Sequence, residues 1–326
     1  MMNVLYTLDT NFFPELVVSL NSLIHYSKQK LNIYIICDDI TREMKEKLLK
    51  LRSITISIFF LPAPKIPLEL KPDRGSKSQF YRLFIGSIFE NSDINRIIYL
   101  DCDTMITDEN VNKLSNIEMD GKTIAATVDP WSPIYKKILN IDENDDIFNS
   151  GFFVCDVKKW NKQLIEKKIC RLIANRKHMF QGDQGLLNEV FCGNFKHLNP
   201  EYNVISSYFA FDYNELLTFR RTSRFYSKPQ ILNAIKKPII IHFTSSFISM
   251  RPWNTVSHHP YTKNWRKIAF QNIENFQLND NKITMTERLY YRFPRWLAIR
   301  FISCLQCCMR PMIIKMKIWK AKVRGI

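Results

Sequence analysis

Arg96-Ile97-Ile98-Tyr99-Leu100-Asp101-Cys102-Asp103-Thr104-Met105 is an apolar, β-like run that ends abruptly in two carboxylates one residue apart. In an extended segment alternate side chains share a face, so Asp101 and Asp103 can both point at one divalent cation just beyond the strand's carboxyl end. Oxygen-only ligation with positions left open suits manganese or magnesium holding a diphosphate better than zinc, which prefers sulfur and nitrogen. An Asp-x-Asp pair by itself also occurs in surface turns. The apolar strand before it, and Thr104, Ile106 and Asp108 after it, favour the metal reading.

Outward from this stretch, strand and helix signals alternate. Val4 to Leu8, Ile33 to Cys37, Ile54 to Phe60, Ile97 to Leu100 and Thr123 to Val128 are short and rich in β-branched or aromatic residues. Between them, Pro14 to Tyr26, Thr41 to Leu51 and Ser78 to Phe89 space their apolar positions three or four apart, which predicts helices. The βαβα order predicts an α/β fold with a mostly parallel sheet, in which ligands sit outside the carboxyl ends of the strands. Asp9, closing the first strand, and Asp101 with Asp103, closing the fourth, would converge on one crevice. The Pro-rich segment from Leu61 to Pro67 reads as an extended connection.

Composition bounds the rest. A chain of 326 residues can bury a large core, in one elaborated domain or two. With 46% hydrophobic and 24% charged residues, disorder over most of the length is excluded. The eight cysteines are scattered through apolar runs and read as reduced core residues rather than a disulfide frame. Met1-Met2-Asn3 lacks a basic stretch and reaches Asp9 after few apolar residues, so no signal peptide is expected and the chain is expected inside the cell. The net charge of +16 is unevenly spread: residues 285 to 326 hold ten Lys or Arg and one acid. That points to an anionic surface, membrane or nucleic acid.

Three further segments bear polar groups suited to a site. Phe148-Asn149-Ser150-Gly151 reads as a small polar turn entering an apolar strand, with a helix beginning near Lys158; glycine there permits close backbone approach to a ligand. Gln181-Gly182-Asp183-Gln184 by itself reads as a capped helix start. Pro238 to Phe243 is a strand that ends in His242, by itself a satisfied histidine as readily as a ligand. Between 205 and 230 the chain turns aromatic and basic, compatible with an acceptor groove or with an ordinary packed excursion.

Taken together, Asp9 and Asn11, Arg82, the Asp101/Asp103 pair, Asn149 with Gly151, Asp183-Gln184, and His242 ahead of Arg251-Pro252-Trp253 resemble, in order and spacing, glycosyltransferase family 8 over residues 2 to 270. Within it they are most similar to bacterial lipopolysaccharide and lipooligosaccharide galactosyl- and glucosyltransferases. The resemblance implies a single GT-A nucleotide-binding domain with a mostly parallel mixed sheet, a retaining reaction, manganese, and a UDP-galactose or UDP-glucose donor. By motif, Asp101, Asp103 and His242 would be the metal ligands. Asp9 would accept from the uracil ring, with Asn11 and Phe12 beside the nucleotide and Cys102 at the donor between the two aspartates. Arg82 and Gly151 would contact the donor, Asn149 and Asp183 would bind hydroxyls of the transferred sugar, and Gln184 would lie near the anomeric carbon, with Gln184 and Asp183 as the catalytic residues. The sequence departs from the pattern at Phe12, a tyrosine in many relatives, and at Gly185, an aspartate in some. It departs again in the longer loop after His242, and at Arg251, where lysine normally contacts phosphate. Retention without an obvious carboxylate nucleophile suggests front-face attack.

The tail combines Trp296, Leu297, Ile299, Phe301, Ile302, Leu305 and Met309 with interspersed Arg and Lys. The run is too short and too polar for a transmembrane helix, and an interfacial helix in an anionic leaflet fits better, broken in two by Pro311. The bland reading is an amphipathic element packed on the catalytic domain. No recognisable module supports nucleic-acid binding, and Cys304-x-x-Cys307-Cys308 lacks two further ligands for zinc. The expectation is therefore a catalytic domain over 1–275 and a basic, membrane-associating tail over 276–326, peripheral on the inner face of the bacterial inner membrane. It would move galactose or glucose onto a glycolipid or oligosaccharide such as a lipopolysaccharide core. A metal-dependent phosphohydrolase and a catalytically silent membrane scaffold are the alternatives.

Overall fold

A computed structural model describes residues 1–67, 70, 76–174, 181–222, 224–313 and 316. Ten strands are present among them: β1 Met2–Thr7, β2 Leu31–Ile36, β3 Ile56–Leu61, β4 Arg96–Leu100, β5 Thr104–Ile106, β6 Ile124–Val128, β7 Phe148–Asp156, β8 Lys196–His197, β9 Val204–Ile205 and β10 Ile240–His242. Seven form one sheet in the order β3-β2-β1-β4-β7-β6-β8. All neighbours are parallel except β7, which runs against both β4 and β6. Reversing that one strand brings its amino end to the edge where β1, β4 and β6 have their carboxyl ends. Asp9, Asp101, Asp129 and Asn149 therefore gather at one edge.

The sheet is buried on both faces, so its strands read as continuous apolar runs. Alternation sorts them. Ile98 and Leu100 join Val4, Tyr6, Phe152 and Val154 under helix Phe13–Tyr26, while Ile97 and Tyr99 join Leu5, Phe153, Cys155 and Trp160 on the other side. The same parity sends Cys102 into the first cluster and leaves Asp101 facing with Tyr99. A small second sheet, β5-β10-β9, continues from the end of β4 and pairs His242 with Thr104.

Two elements differ from the sequence expectation. Ser78 to Phe89 is a 3-10 helix over Ser78–Phe84 followed by a short α-helix at Ile85–Ile88, because burying Phe80, Arg82 and Phe84 overrides local propensity. Asn149-Ser150-Gly151 is not a turn: all three lie inside β7, and the polar residues are there because they face the site.

The carboxyl-terminal helices Met285–Arg292 and Arg295–Cys304 pack Tyr290, Ala298, Ile299 and Ile302 against Tyr208, Phe211, Leu216 and Phe219 in a third apolar cluster. The aromatic segment after residue 205 is thus mostly core. Pro311 does not break the tail. The chain stays helical from Arg295 through Ile313, with a π-helical stretch at Leu305–Met309 just before the proline, where widened hydrogen-bond spacing absorbs the missing N–H. Ile314, Trp319 and the tail lysines from Lys315 onward lie outside the described residues. All eight cysteines are free thiols.

The tail is also tied to the loop after β10. Glu287 is 0% exposed. Its carboxylate accepts from the Ser249 N–H at 3.0 Å and the Ser249 hydroxyl at 2.7 Å, with His258 Nε2 at 3.4 Å. Removing that carboxylate orphans buried donors, so Glu287→Ala should destabilise the fold by about 2–4 kcal/mol in urea titration. A loss within about 0.5 kcal/mol, as for an ordinary surface change, would show that the clamp carries no weight.

Candidate active site

At the carboxyl edge of β4, three potential ligand atoms, from Asp101, Asp103 and His242, lie within 4.8 Å of one another. His242 Nε2 stands 3.1 Å from Asp103 Oδ1 and 3.8 Å from Asp101 Oδ2. Adjacent ligands of an octahedral ion bound at 2.0–2.1 Å are about 3 Å apart, so the spacing fits a small divalent cation with little movement. Backbone register makes the meeting: the Phe243 N–H donates to the Asp103 carbonyl at 2.8 Å, next to the β5–β10 pairing. The His242 Nδ1 position is 3.1 Å from Asn203 Oδ1, an acceptor, which assigns the proton to Nδ1 and leaves the Nε2 lone pair facing the aspartates.

Gly151 leaves the room. A Cβ at that position would overlap the His242 ring and lie 2.6 Å from Asp101 Oδ2. Its backbone is ordinary strand, so the constraint is space rather than dihedral freedom.

Behind these groups lies Arg82, 6% exposed. It reaches Asp101 Oδ1 at 2.7 Å, Asp183 Oδ2 at 3.4 Å and the carbonyls of Ser150 and Gln79 at 2.9 and 3.1 Å, and it stacks over Tyr99. Its planar fork is spent inside the protein. The Tyr99 hydroxyl donates to Asp101 Oδ1 at 2.9 Å, and Ser150 Oγ donates to Asp183 Oδ2 at 2.7 Å. Gln184 accepts from the Ser150 N–H at 3.3 Å and donates to Asp129 Oδ2 at 3.0 Å. Asn149 donates to the same Asp129 oxygen at 3.0 Å and accepts from Gly151 and Asn203, both at 3.1 Å. Arg82, Asp101, Asp103, Asn149, Gly151, Asp183, Gln184 and His242 thus form one contiguous network.

The remaining expected residues stand apart from it. Asp9 accepts from the Asn11 N–H at 3.0 Å in the loop after β1, and Phe12 packs on the first apolar cluster. The Cys102 thiol points into that cluster, near the Thr7 carbonyl, so any approach to a ligand falls to its main chain. Arg251 rests over Trp253, its Nε buried without a partner, and its charge acts on Asp103.

Charge distribution follows the geometry. Burial works against the ionised form of Asp103, but His242 outweighs it and holds the carboxyl below its usual range. Burial also opposes the imidazolium of His242, yet Asp103 lifts it above the ordinary value. A cation held by an imidazole and two carboxylates competes with protons for the same atoms, so its affinity would weaken as pH falls. Burial raises Asp183, with Arg82 offsetting part of the effect. Burial likewise pushes Glu15, on helix Phe13–Tyr26, up to about 7.

Asp129 and Asn203 are the residues that sequence reading missed. Asp129 follows β6 as Asp9 follows β1 and Asp101 follows β4, a signal that was present. Asn203 reaches His242 from a short 3-10 turn and has no sequence signature.

A mixed sheet with an Asp-x-Asp and histidine set at the carboxyl edge of its strands defines a nucleotide-binding fold of the GT-A type. The chain belongs to glycosyl transferase family 8, whose model matches residues 3–257. It is 28% identical over 189 residues to general stress protein A of Bacillus subtilis, covering 57% of this chain and 62% of that protein. It is 24% identical over 280 residues to the lipopolysaccharide 1,2-glucosyltransferase of Escherichia coli K12, covering 83% and 78%. The crystal structure of the galactosyltransferase LgtC with donor and acceptor sugar analogs superposes with a TM-score of 0.68 at 18% identity, over 83% of this chain and 96% of that one, so the fold is shared.

The space at Gly151 supplies a direct check. Gly151→Ala should weaken manganese binding, read by electron paramagnetic resonance, at least about tenfold while far-UV circular dichroism is unchanged, since overpacking costs about 1–3 kcal/mol at such a contact. Unaltered binding would remove the three-residue cluster as the metal centre.

Proposed function

We propose that this chain is a retaining glycosyltransferase that moves a hexose, galactose or glucose, from a UDP-sugar to a surface glycolipid such as a lipopolysaccharide core. One observation carries the reading: in a chain of this family, the Asp101, Asp103 and His242 cluster is joined by hydrogen bonds through Asn203 to Asn149, which borders a cavity with Gln184 and Asp129. Manganese is the proposed ion, with magnesium as the substitute; when bound it neutralises charge that grows on the departing diphosphate.

In this reading Asp9, Asn11, Phe12 and the main chain at Cys102 border the nucleotide, and Arg251 serves the diphosphate from beside Asp103. Arg82 acts through Asp101 and Asp183, fixing both carboxylates, rather than by its own fork on the sugar. Asn149 and Gly151 shape the sugar side, and Asp183 presents its second oxygen to a hydroxyl. Asp129 Oδ1 is buried without a protein partner, so it suits the incoming acceptor hydroxyl. Gln184, held at both ends of its amide, steadies positive charge at the anomeric carbon as the bond to UDP breaks. The acceptor oxygen bonds to that carbon on the face UDP leaves, and its proton goes to the departing phosphate.

In this reading residues 1–275 hold the transfer chemistry, and the exposed side of the helices Met285–Arg292 and Arg295–Cys304 faces a membrane. Among the described residues no helix is long and apolar enough to cross a bilayer. The outer face of the tail, however, exposes Trp296 at 61% and Phe301 at 58%, with Leu297 and Met309 nearby and Arg292 and Arg300 beside them. That is the composition of an interfacial helix lying on an anionic leaflet.

Two experiments test the reading. With manganese and a panel of UDP-sugars, one UDP-hexose should release UDP, and Asp103→Ala should abolish that release; no turnover with any UDP-sugar and a glycolipid acceptor overturns the assignment. Truncating before Glu287 would cut the Ser249 clamp, so membrane association is better probed from outside. Trp296→Ser with Phe301→Ser should reduce binding to phosphatidylglycerol vesicles at least about tenfold with UDP release intact, each side chain giving up about 1.5–3 kcal/mol of burial. Unchanged vesicle binding would refute the tail's membrane role.

A further inference from the structure

The cavity beside Gln184 has a volume of about 440 Å³ and is bounded partly by the tail, through Gln306, Cys307 and Arg310. Its lining has two chemically unlike parts. Asp129, Asn149 and Gln184 are bonded to one another and belong to the site described above. The other part is cationic: Arg220 and Arg310 both line the cavity and both act on the hydroxyl of Tyr135.

Arg220 is conspicuous for what it lacks. Its Nε is buried and has no partner, and its guanidinium rests on Phe219, 5.3 Å from the ring centre. Nearby arginines are satisfied. Arg221 donates to Ser303 Oγ at 2.9 Å, Arg224 to the Asn144 carbonyl at 2.6 Å, and Arg295 to Glu215 at 2.5 Å. Among the described residues no carboxylate lies within ion-pair distance of Arg220 or Arg310. Asp129 is the acid of the lining, and its Oδ2 already accepts from two amides. Ser207 Oγ, also in the lining, is buried and unpartnered.

A buried N–H of a charged group without an acceptor is costly, and a planar guanidinium matches phosphate and carboxylate oxygens with paired hydrogen bonds. We propose that this cavity contains an anionic subsite, in which Arg220 and Arg310 bind a phosphoryl or carboxylate group of the saccharide whose hydroxyl meets Asp129 and Gln184. The word acceptor for that saccharide rests on the transferase reading; the subsite rests on the cavity alone. One guanidinium comes from the segment after residue 205 and the other from the tail, so the subsite forms only when the two are packed together. It sets preference among acceptors and leaves the donor side untouched.

The test uses the full chain with glucose 6-phosphate and glucuronate as probes, read by phosphorus-31 and proton line broadening, and methyl glucoside as the neutral control. At least one anionic probe should bind more tightly than methyl glucoside, and whichever binds better identifies the phosphoryl or the carboxylate source. Arg310→Gln, an exposed position, and Arg220→Gln should each weaken that probe about tenfold, the loss of a charge-assisted hydrogen bond. Arg220→Lys should recover part of it, and Asp103→Ala should not change it, separating the subsite from the metal side. Equal binding of charged and neutral probes, or anion binding unaffected by both arginine variants, overturns the proposal. Failure of the transferase reading is distinct: no UDP-sugar would be turned over while the anion binding stands.

Discussion

Taking a guanidinium out of water costs several kcal/mol unless its charge and its N–H groups are matched, and the whole arrangement at the sheet edge supplies that match for Arg82. Asp101 and Asp183 provide the charge, the carbonyls of Ser150 and Gln79 take further donors, and the Tyr99 ring covers one face. The compensation is mutual. Without the cation, Asp101 would face Asp103 across the space for a metal, and Asp183 would be a buried carboxylate with one hydroxyl for company. Because Ser150 ties Arg82 by its carbonyl and Asp183 by its hydroxyl, the cation also fixes the start of β7. From there Asn149 and Gly151 inherit their places. The Asp101, Asp103 and His242 cluster and the group of Asn149, Asp183 and Gln184 are thus two ends of one bonded arrangement.

Much of this was legible in the sequence because parallel strands buried on both faces have a plain signature. Apolar runs ending in Asp9 and Asp101 marked both the sheet and the edge at which the candidate site lies. The parts that were not legible depend on contacts between distant segments. Ser78 to Phe84 has helical spacing, but it tightens to 3-10 so that Arg82 can reach β4 and β7. Asn149-Ser150-Gly151 has turn composition, yet it is strand, since its polarity answers the site rather than a reversal of the chain. Asp129 was overlooked although it obeys the rule that exposed its two counterparts. Asn203 could not have been found, because nothing local distinguishes an asparagine that orients a histidine from one that ends a turn.

The helix pair of the tail has two unlike faces. Its inner face completes an apolar cluster with the aromatic segment after residue 205, and its outer face exposes large apolar groups among arginines. Packing and exposure are compatible because the helical repeat separates them onto opposite sides. Pro311 is accommodated by a π-helical stretch rather than a break, which keeps Gln306, Cys307 and Arg310 on the cavity.

That placement has a consequence for how the molecule comes into being. A chain is synthesised from its amino end, so the sheet, the three potential metal ligands and Gln184 are all present once Arg251 has been made. The cavity beside them lacks a wall until Arg310 emerges, and the Ser249 loop lacks its clamp until Glu287 does. The candidate site residues are therefore all made before the last part of the cavity wall. Only with the helices that carry Gln306, Cys307 and Arg310 in place does the cavity acquire its last wall.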